Sequence, residues 1–236
     1  MTYILLAAGR GTRLKPITIS NPKALFMLDS KTSLIEKTIS MIRKYDKNAS
    51  IVVVVGFMHE QFENRLKNVK FVYNPFFDVT NSIASLWLAR DYLIMSEGVV
   101  IMNADVLVCE ELMRDIICKP ALKPAVLLDS SIKTNGDYNV EVQGENVLVM
   151  SKDLKEYYGE YAGVTLLDKY GAERLCHEVE YMVEKGEYDQ WYENALVRAI
   201  FIDDFKLKYI DICDYEWTEV DDVNDLVLAK KIHDGR

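Results

Sequence analysis

The chain has 236 residues, half of them apolar and only five of them proline, and it carries a net charge of −9 at pH 7. That length suits one large α/β domain, the apolar share supports a sizeable core and argues against disorder, and the acidic balance argues against nucleic acid or an anionic membrane surface as a general partner. Four cysteines without paired or zinc-like spacing read as reduced, mostly buried thiols, and the apolar run before Gly9 is too short for a signal peptide or a membrane span, so a soluble, cytoplasmic protein is expected.

In chain order, Thr2 to Ala8 reads as a buried strand, followed by a glycine-containing turn and a helix carrying Leu34, Ile35, Ile39 and Ile42 at helical spacing. The β-branched run SIVVVVGF fits the middle of a parallel sheet. Glu60 to Leu66 predicts a second helix, and VKFVYN a third strand. Asn81 is placed to cap one helix over SIASLWLARDYLI, which leads into the strand GVVIMNAD. This alternation runs to about residue 118 and implies right-handed crossovers in a mainly parallel, doubly wound sheet.

Beyond it, AVLLD, VEVQGENVLVM with a hairpin turn at Gly144, and EYAGVTLL predict added strands of mixed direction. Helices over about 169–185 and 191–200, strands LKYIDI and WTEV, and a closing helix from Val223 to His233 complete the chain. No linker, repeat or low-complexity tract interrupts it. The expected class is therefore α/β, a Rossmann-like mixed sheet flanked by helices with a smaller β-containing elaboration. We read 1–236 as a single domain, with 1–118 as its nucleotide-binding half and 119–236 as the half that binds the acceptor and completes the metal site.

The stretch LLAAGRGTRLKP, followed by PKAL at 22–25, concentrates glycine and positive charge directly behind the first strand. Such a turn offers backbone N–H groups to an anion, usually phosphate. A dinucleotide fingerprint would need glycine where Leu14 stands, and a bulky side chain there blocks close helix packing. A P-loop would need G-K-[ST], which the chain lacks. What stays open is a loop whose glycines approach a triphosphate while Arg13 and Lys23 neutralise it, or an ordinary solvated loop.

LAAGRGTRLKP with Pro22-Lys23-Ala24-Leu25 closely resembles the pyrophosphorylase-type nucleotidyltransferases, whose loop reads L-A-A-G-x-G-x-R-x-x-P with a later P-K. The resemblance implies attack by a phosphate or phosphonate oxygen on the α-phosphorus of a nucleoside triphosphate, with release of pyrophosphate. It puts Leu6, Ala7, Ala8 and Gly9 against base and ribose, and Gly11, Thr12, Arg13 and Lys23 around the phosphates. In-line displacement of this kind uses a divalent ion, and magnesium takes one or two carboxylates plus substrate oxygens. Asp105 after VVIMNA and Asp221 after WTEV end strands on the edge where open α/β sheets bind ligands. They match the family's two metal aspartates, with Ala104 replacing the common glycine. Lys23, Arg13, Asp105 and Asp221 are thus the expected catalytic set, with Mg2+ as cofactor. Asp222 or Asn224 is expected to cap the last helix.

A closer resemblance is to the phosphocholine cytidylyltransferase-like enzymes, through Asn74-Pro75, Asn81-Ser82-Ile83-Ala84-Ser85-Leu86-Trp87-Leu88-Ala89, Gly159 to Val164 and Tyr188 to Leu196. It adds Asn81 and Ser85 to the nucleotide-binding residues, while Ser82 departs from the second asparagine of the pattern. CTP and a small phosphorylated or phosphonylated acceptor follow as partners: phosphocholine, phosphoethanolamine, 2-aminoethylphosphonate or phosphoglutamine. The product would be a precursor of a cell-surface polysaccharide or phospholipid. A sugar-1-phosphate nucleotidylyltransferase using UTP, dTTP or GTP shares the loop and both aspartates. A regulatory domain that binds nucleotide without catalysis is the reading from another class.

For the acceptor, aromatic and acidic residues cluster in the second half. Tyr138, Trp191, Glu160 and Glu193 could hold an ammonium group or could be core and subunit contacts. Lys152 could meet the acceptor phosphate or sit in solvent. A homodimer is compatible with the sequence. None of His59, His177 and His233 is needed as a base, because the attacking phosphate is already ionised.

Overall fold

In the computed structural model, residues 1–11, 20–120, 123–132 and 138–235 are described. Strand β1 (Thr2–Ala7) lies between two parallel neighbours, β2 (Ser50–Val55) and, on its other side, the later strand at Gly98–Asn103; β3 (Lys70–Tyr73) extends the sheet beyond β2. We label Gly98–Asn103 β4; it is followed by the short β5 (Val106–Val108). The second half contributes β6 (Ala125–Asp129), β7 (Asn139–Gln143), β8 (Asn146–Ser151), β9 (Gly159–Asp168), β10 (Lys208–Asp211) and β11 (Trp217–Glu219).

Among the described residues, nine strands form one sheet in the order β3-β2-β1-β4-β9-β6-β10-β8-β7. β9 runs antiparallel to both β4 and β6, so the sheet turns mixed where the second half joins it. β7 also pairs with β9 through Asn139 opposite Glu160, which closes β9, β6, β10, β8 and β7 on themselves. The hairpin expected at Gly144 joins β7 to β8. The strand expected at WTEV leaves the main sheet and pairs antiparallel with β5.

Both faces of the parallel half are covered, which is why its strands read as unbroken apolar runs. Successive side chains point to opposite faces. Tyr3, Leu5, Val53, Val55, Val100 and Met102 pack against α1 (Leu34–Tyr45), whose Leu34, Ile35, Ile39 and Ile42 are buried. Ile4, Val52, Val54, Val99 and Ile101 meet the opposite layer. After α2 (His59–Arg65), that layer is built by α3 (Ser82–Leu88) and α4 (Arg90–Ile94). A short α5 (Glu110–Leu112) continues as a π turn through Ile117. It is followed by α6 (Lys169–Glu184), α7 (Glu193–Asp203) and α8 (Val223–Asp234).

Two helices depart from expectation for local reasons. The helix predicted from Ser82 onward breaks at Ala89, where ψ is 7° and Arg90 Nη1 donates to the Trp87 carbonyl at 2.9 Å. The helix predicted from Trp191 starts at Glu193, because the preceding segment is tied to the start of α3. Asn81 N–H donates to Tyr188 O at 3.0 Å, Ile83 N–H to Gln190 O at 3.2 Å, and Tyr192 N–H to Ser82 Oγ at 2.9 Å. Asp222 caps α8, its carboxylate accepting from the backbone of Asn224 and Asp225. The cysteines are free thiols, but only Cys176 is buried and Cys213 is exposed. No helix among the described residues is long and apolar enough to cross a membrane.

Candidate active site

The C-terminal ends of β1 and β4 meet where the strand order reverses, β1 leading to β2 on one side while β4 lies on the other. A crevice forms at such a point because the connections leave in opposite directions. Ala104 N–H donates to Leu6 O at 3.1 Å, which fixes the two strand ends together. Behind β1 the chain turns through Gly9 to Gly11, and Gly11 takes φ of +62°, a left-handed conformation that costs glycine little.

Asp105 follows β4 and Asp221 follows β11. The two meet because Val220 N–H donates to Asp105 O at 3.0 Å at the end of the β5–β11 pairing. Asp225 then fixes the backbone of Asp221, its carboxylate accepting from Asp221 N–H at 2.9 Å. Lys23 reaches the same place from a single 3₁₀ turn, Lys23–Leu25, anchored by the buried Ala24 and Leu25. Its Nζ lies 2.6 Å from Asp105 Oδ2 and 2.6 Å from Asp221 Oδ1. Burial alone would lower the ammonium, but the two carboxylates outweigh it and hold Lys23 above the usual lysine range. Glu219 stands beside them, and one oxygen from each of Asp105, Glu219 and Asp221 falls within 4.8 Å of the others.

A cavity of about 280 Å³ opens over this group, lined by Leu6, Ala7, Gly9, Gly11, Lys23, Ala24, Asn81, Ala104, Asp105, Glu219 and Asp221. The nucleotidyl transferase family pattern matches residues 2–133, more than half of the chain and all of β1, the glycine turn, Lys23 and Asp105. The chain belongs to the nucleotidyl transferase family. Among curated relatives, a choline-phosphate cytidylyltransferase of Streptococcus pneumoniae is 27% identical over 200 residues, covering 84% of this chain and 83% of that protein. A choline-phosphate cytidylyltransferase of Haemophilus influenzae is 37% identical over 108 residues, 45% of this chain and 44% of its own length. The fold is that of the solved CTP:phosphocholine cytidylyltransferase from Streptococcus pneumoniae, with a TM-score of 0.79 at 23% identity and 98% of both chains covered.

Of the residues expected around the nucleotide of this nucleotidyltransferase, Leu6, Ala7, Gly9, Gly11, Lys23 and Asn81 line the first cavity. Ala8 and Ser85 line a second, of about 210 Å³, together with Leu6, Gly9, Asn81 and Asp105. Ser85 is buried there and accepts from Asn74 Nδ2 at 3.0 Å. Thr12 and Arg13 lie outside the described residues.

The five residues expected around the acceptor are not gathered in one place. Trp191 and Glu193 line the second cavity, and Lys152 Nζ sits 4.2 Å over the Trp191 ring. Tyr138 stands behind them, edge-on to Trp191 and donating to Asn194 Oδ1 at 2.8 Å. Glu160 instead lines a third cavity of about 680 Å³, with Asp129, Trp217, Glu219 and Asp221. Glu193 is buried, and its Oε2 has no hydrogen-bond partner among the described residues. Burial pushes its carboxyl up to about 7, against a weaker opposing pull from Lys152.

The sequence assigns no site role to Glu219 or Thr80, and Asn74 enters there only as part of the Asn74-Pro75 resemblance. Glu219 was within reach, since residues 217, 219 and 221 share one side of an extended chain. Thr80 carries no such signal, and it joins the second cavity with Asn74 through a loop in which Asn74 Nδ2 donates to Thr80 Oγ1. The histidines take no part in these cavities, and His233 Nε2 lies 2.9 Å from Asp29 Oδ2.

Proposed function

We propose that this nucleotidyltransferase joins CTP to a small phosphorylated or phosphonylated acceptor in a Mg2+-dependent reaction, giving a CDP-linked product and pyrophosphate. The observation that carries the reading is the Lys23 ammonium held 2.6 Å from both Asp105 and Asp221 at the mouth of the glycine loop. An all-carboxylate donor set fits a hard divalent cation. Asp105 and Asp221 would hold it with Glu219 beside them, and it would supply Lewis-acid stabilisation to α-phosphate oxygens. Lys23, tethered by Ala24 and Leu25, supplies a compact positive charge for the oxygens on which charge builds. Arg13 and Thr12 are proposed for the same phosphates on their place in the motif. The acceptor phosphate attacks already ionised, so the remaining contribution is alignment of two anions by Lys23 and the glycine-loop amides.

Cytidine as the base is supported by the names of the two relatives above, which are cytidylyltransferases acting on choline phosphate. The amides and hydroxyl of Asn74, Asn81 and Ser85 on the second cavity suit a base rather than a phosphate. For the acceptor, Trp191 and Glu193 with Lys152 and Tyr138 remain the proposal on one side of the carboxylates, and Glu160 on the other. The deciding experiment scores pyrophosphate release for CTP, UTP, dTTP and GTP against phosphocholine, phosphoethanolamine, 2-aminoethylphosphonate, phosphoglutamine and a sugar 1-phosphate, with and without Mg2+. CTP-selective, Mg2+-dependent release is expected. Preference for another nucleotide with the sugar phosphate would overturn the reading in favour of a sugar-1-phosphate enzyme, and no release with any pair would leave a non-catalytic nucleotide binder.

A further inference from the structure

Arg10 is a cation of the glycine loop to which the phosphate chemistry proposed above assigns no role. Its Nε and Nη2 both donate to the Asp78 carboxylate, Nη2 to Oδ2 at 2.6 Å. Its Cζ also lies 5.1 Å from the Phe57 ring centroid and 5.5 Å from that of Phe77. Arg10 directly follows Gly9 and Asp78 directly follows Phe77, and both Gly9 and Phe77 line the second cavity. The two rings are tilted neighbours with centroids 6.2 Å apart, and Arg10 covers the pair from one side. Phe57 N–H donates to Ala8 O at 3.0 Å, and a Cβ on Gly56 would meet Phe77 Cβ at 2.7 Å and Ala8 O at 2.8 Å. Only glycine at 56 lets Phe77 close onto the end of β1. A guanidinium suits this place as an ammonium would not, because its planar fork grips the carboxylate with two bonds while it also packs over the aromatic pair.

We propose that Arg10, clasped by Asp78 and packed over the Phe57–Phe77 pair, is a positioning residue that holds the glycine loop to the segment carrying Phe77 on the nucleotide cleft and so sets affinity for the nucleoside triphosphate. This rests on the reading that the cleft takes such a nucleotide. Arg10 and Asp78 are each about half exposed, so an isolated pair would contribute little; stacking on two rings adds to it, and together the terms amount to about a 3- to 10-fold change in binding.

The test measures CTP binding to the full chain by calorimetry, and steady-state kinetics, for wild type, Arg10→Ala, Asp78→Asn and Arg10→Ala/Asp78→Asn. Each single variant is expected to weaken CTP binding and raise its KM about 3- to 10-fold, with kcat at saturation changed less than about twofold. The double variant should be no worse than the worse single, since both remove one clasp. Asp78→Asn keeps the side-chain shape, and its melting temperature guards against a folding defect. Unshifted binding in the variants would overturn the clasp alone. Additive losses would overturn it too, because Arg10 would then act on the nucleotide directly. Wild type that binds none of the four nucleoside triphosphates would overturn the nucleotide reading and the clasp with it.

Discussion

Asp105 and Asp221 keep about a fifth of their side-chain surface and face the Lys23 ammonium at 2.6 Å, whereas Glu193, lining the neighbouring cavity, is buried while Lys152, whose charge it feels, lies over Trp191. The carboxyl group is the same in each case; the charge partner differs. Where a cation is anchored by its own buried neighbours, two acidic groups are held within 4.8 Å of one another as an ion-paired cluster. Where none is anchored, burial favours the neutral acid, and the group rests near the middle of the physiological range. The nucleotidyltransferase thus sets an ion-paired cluster beside a carboxyl that gains or loses its proton near pH 7.

The sharpest way to break that contrast is Asp105→Asn. We expect magnesium-dependent pyrophosphate release to fall by on the order of 10³ or more, because a ligand for the cation and a partner of Lys23 are lost together. Asp105 is partly exposed, so the melting temperature should move by only a few degrees. Unchanged turnover would remove Asp105 from the metal site. Lys23→Met comes next, with kcat reduced about 10²- to 10³-fold and stability lowered by about 1 to 3 kcal/mol, since two close carboxylates lose their shared counter-ion. Adding Mg2+ should then raise the melting temperature more in Lys23→Met than in wild type. An equal shift in both would mean that the ammonium and the metal do not share these carboxylates.

Glu193→Gln tests the other member of the comparison through pH. The folded-state carboxyl titrates near 7 and the unfolded one near 4.5. Below pH 4.5 both states hold the proton and the wild type has its full stability from this group. Between 4.5 and 7 the unfolded chain ionises first, so wild-type stability falls, and above 7 the loss is complete. Relative to the wild type, Glu193→Gln should therefore gain stability across that window, by on the order of 3 kcal/mol at pH 8. Urea unfolding at pH 5 and pH 8 reads the effect directly. A constant difference between the two proteins at both pH values would show that Glu193 is ionised in the fold throughout.

How far these features could be read from the sequence follows from how locally each is encoded. The parallel strands were legible because burial on both faces demands unbroken runs such as SIVVVV. Lys23 and Asp105 were legible because one sits in a fixed motif and the other ends a strand. β5 was missed, since three residues after Asp105 carry no period of their own, and with it the pairing that brings Asp221 across to Asp105. The closing of β7 onto β9 was equally hidden, as it depends on pairing between strands separated by a hairpin. The acceptor residues were chosen by type, and type does not say which side of a cleft a side chain lines. Glu160 and Glu193 came out on different cavities for that reason.

Ser82 is where local reading and long-range structure differ most, and it yields the smallest effect. By motif it is a departure from asparagine in the nucleotide-contacting segment. In the fold its Oγ accepts from Tyr192 N–H at 2.9 Å, next to Trp191 and Glu193. Ser82→Ala removes that acceptor and leaves an amide beside a buried ring without it, a change of about 1 kcal/mol. Because Asn81 and Ile83 hold the same segment through Tyr188 O and Gln190 O, the fold should persist while Trp191 loosens. Steady-state Trp191 fluorescence, with the other tryptophans replaced by phenylalanine, should become more quenchable by acrylamide, and the acceptor KM should rise about twofold while the nucleotide KM stays within error. A rise in the nucleotide KM alone would mean that the position serves the base after all, as the motif suggested, and that the hydroxyl's hold on the Trp191 segment is incidental to substrate binding.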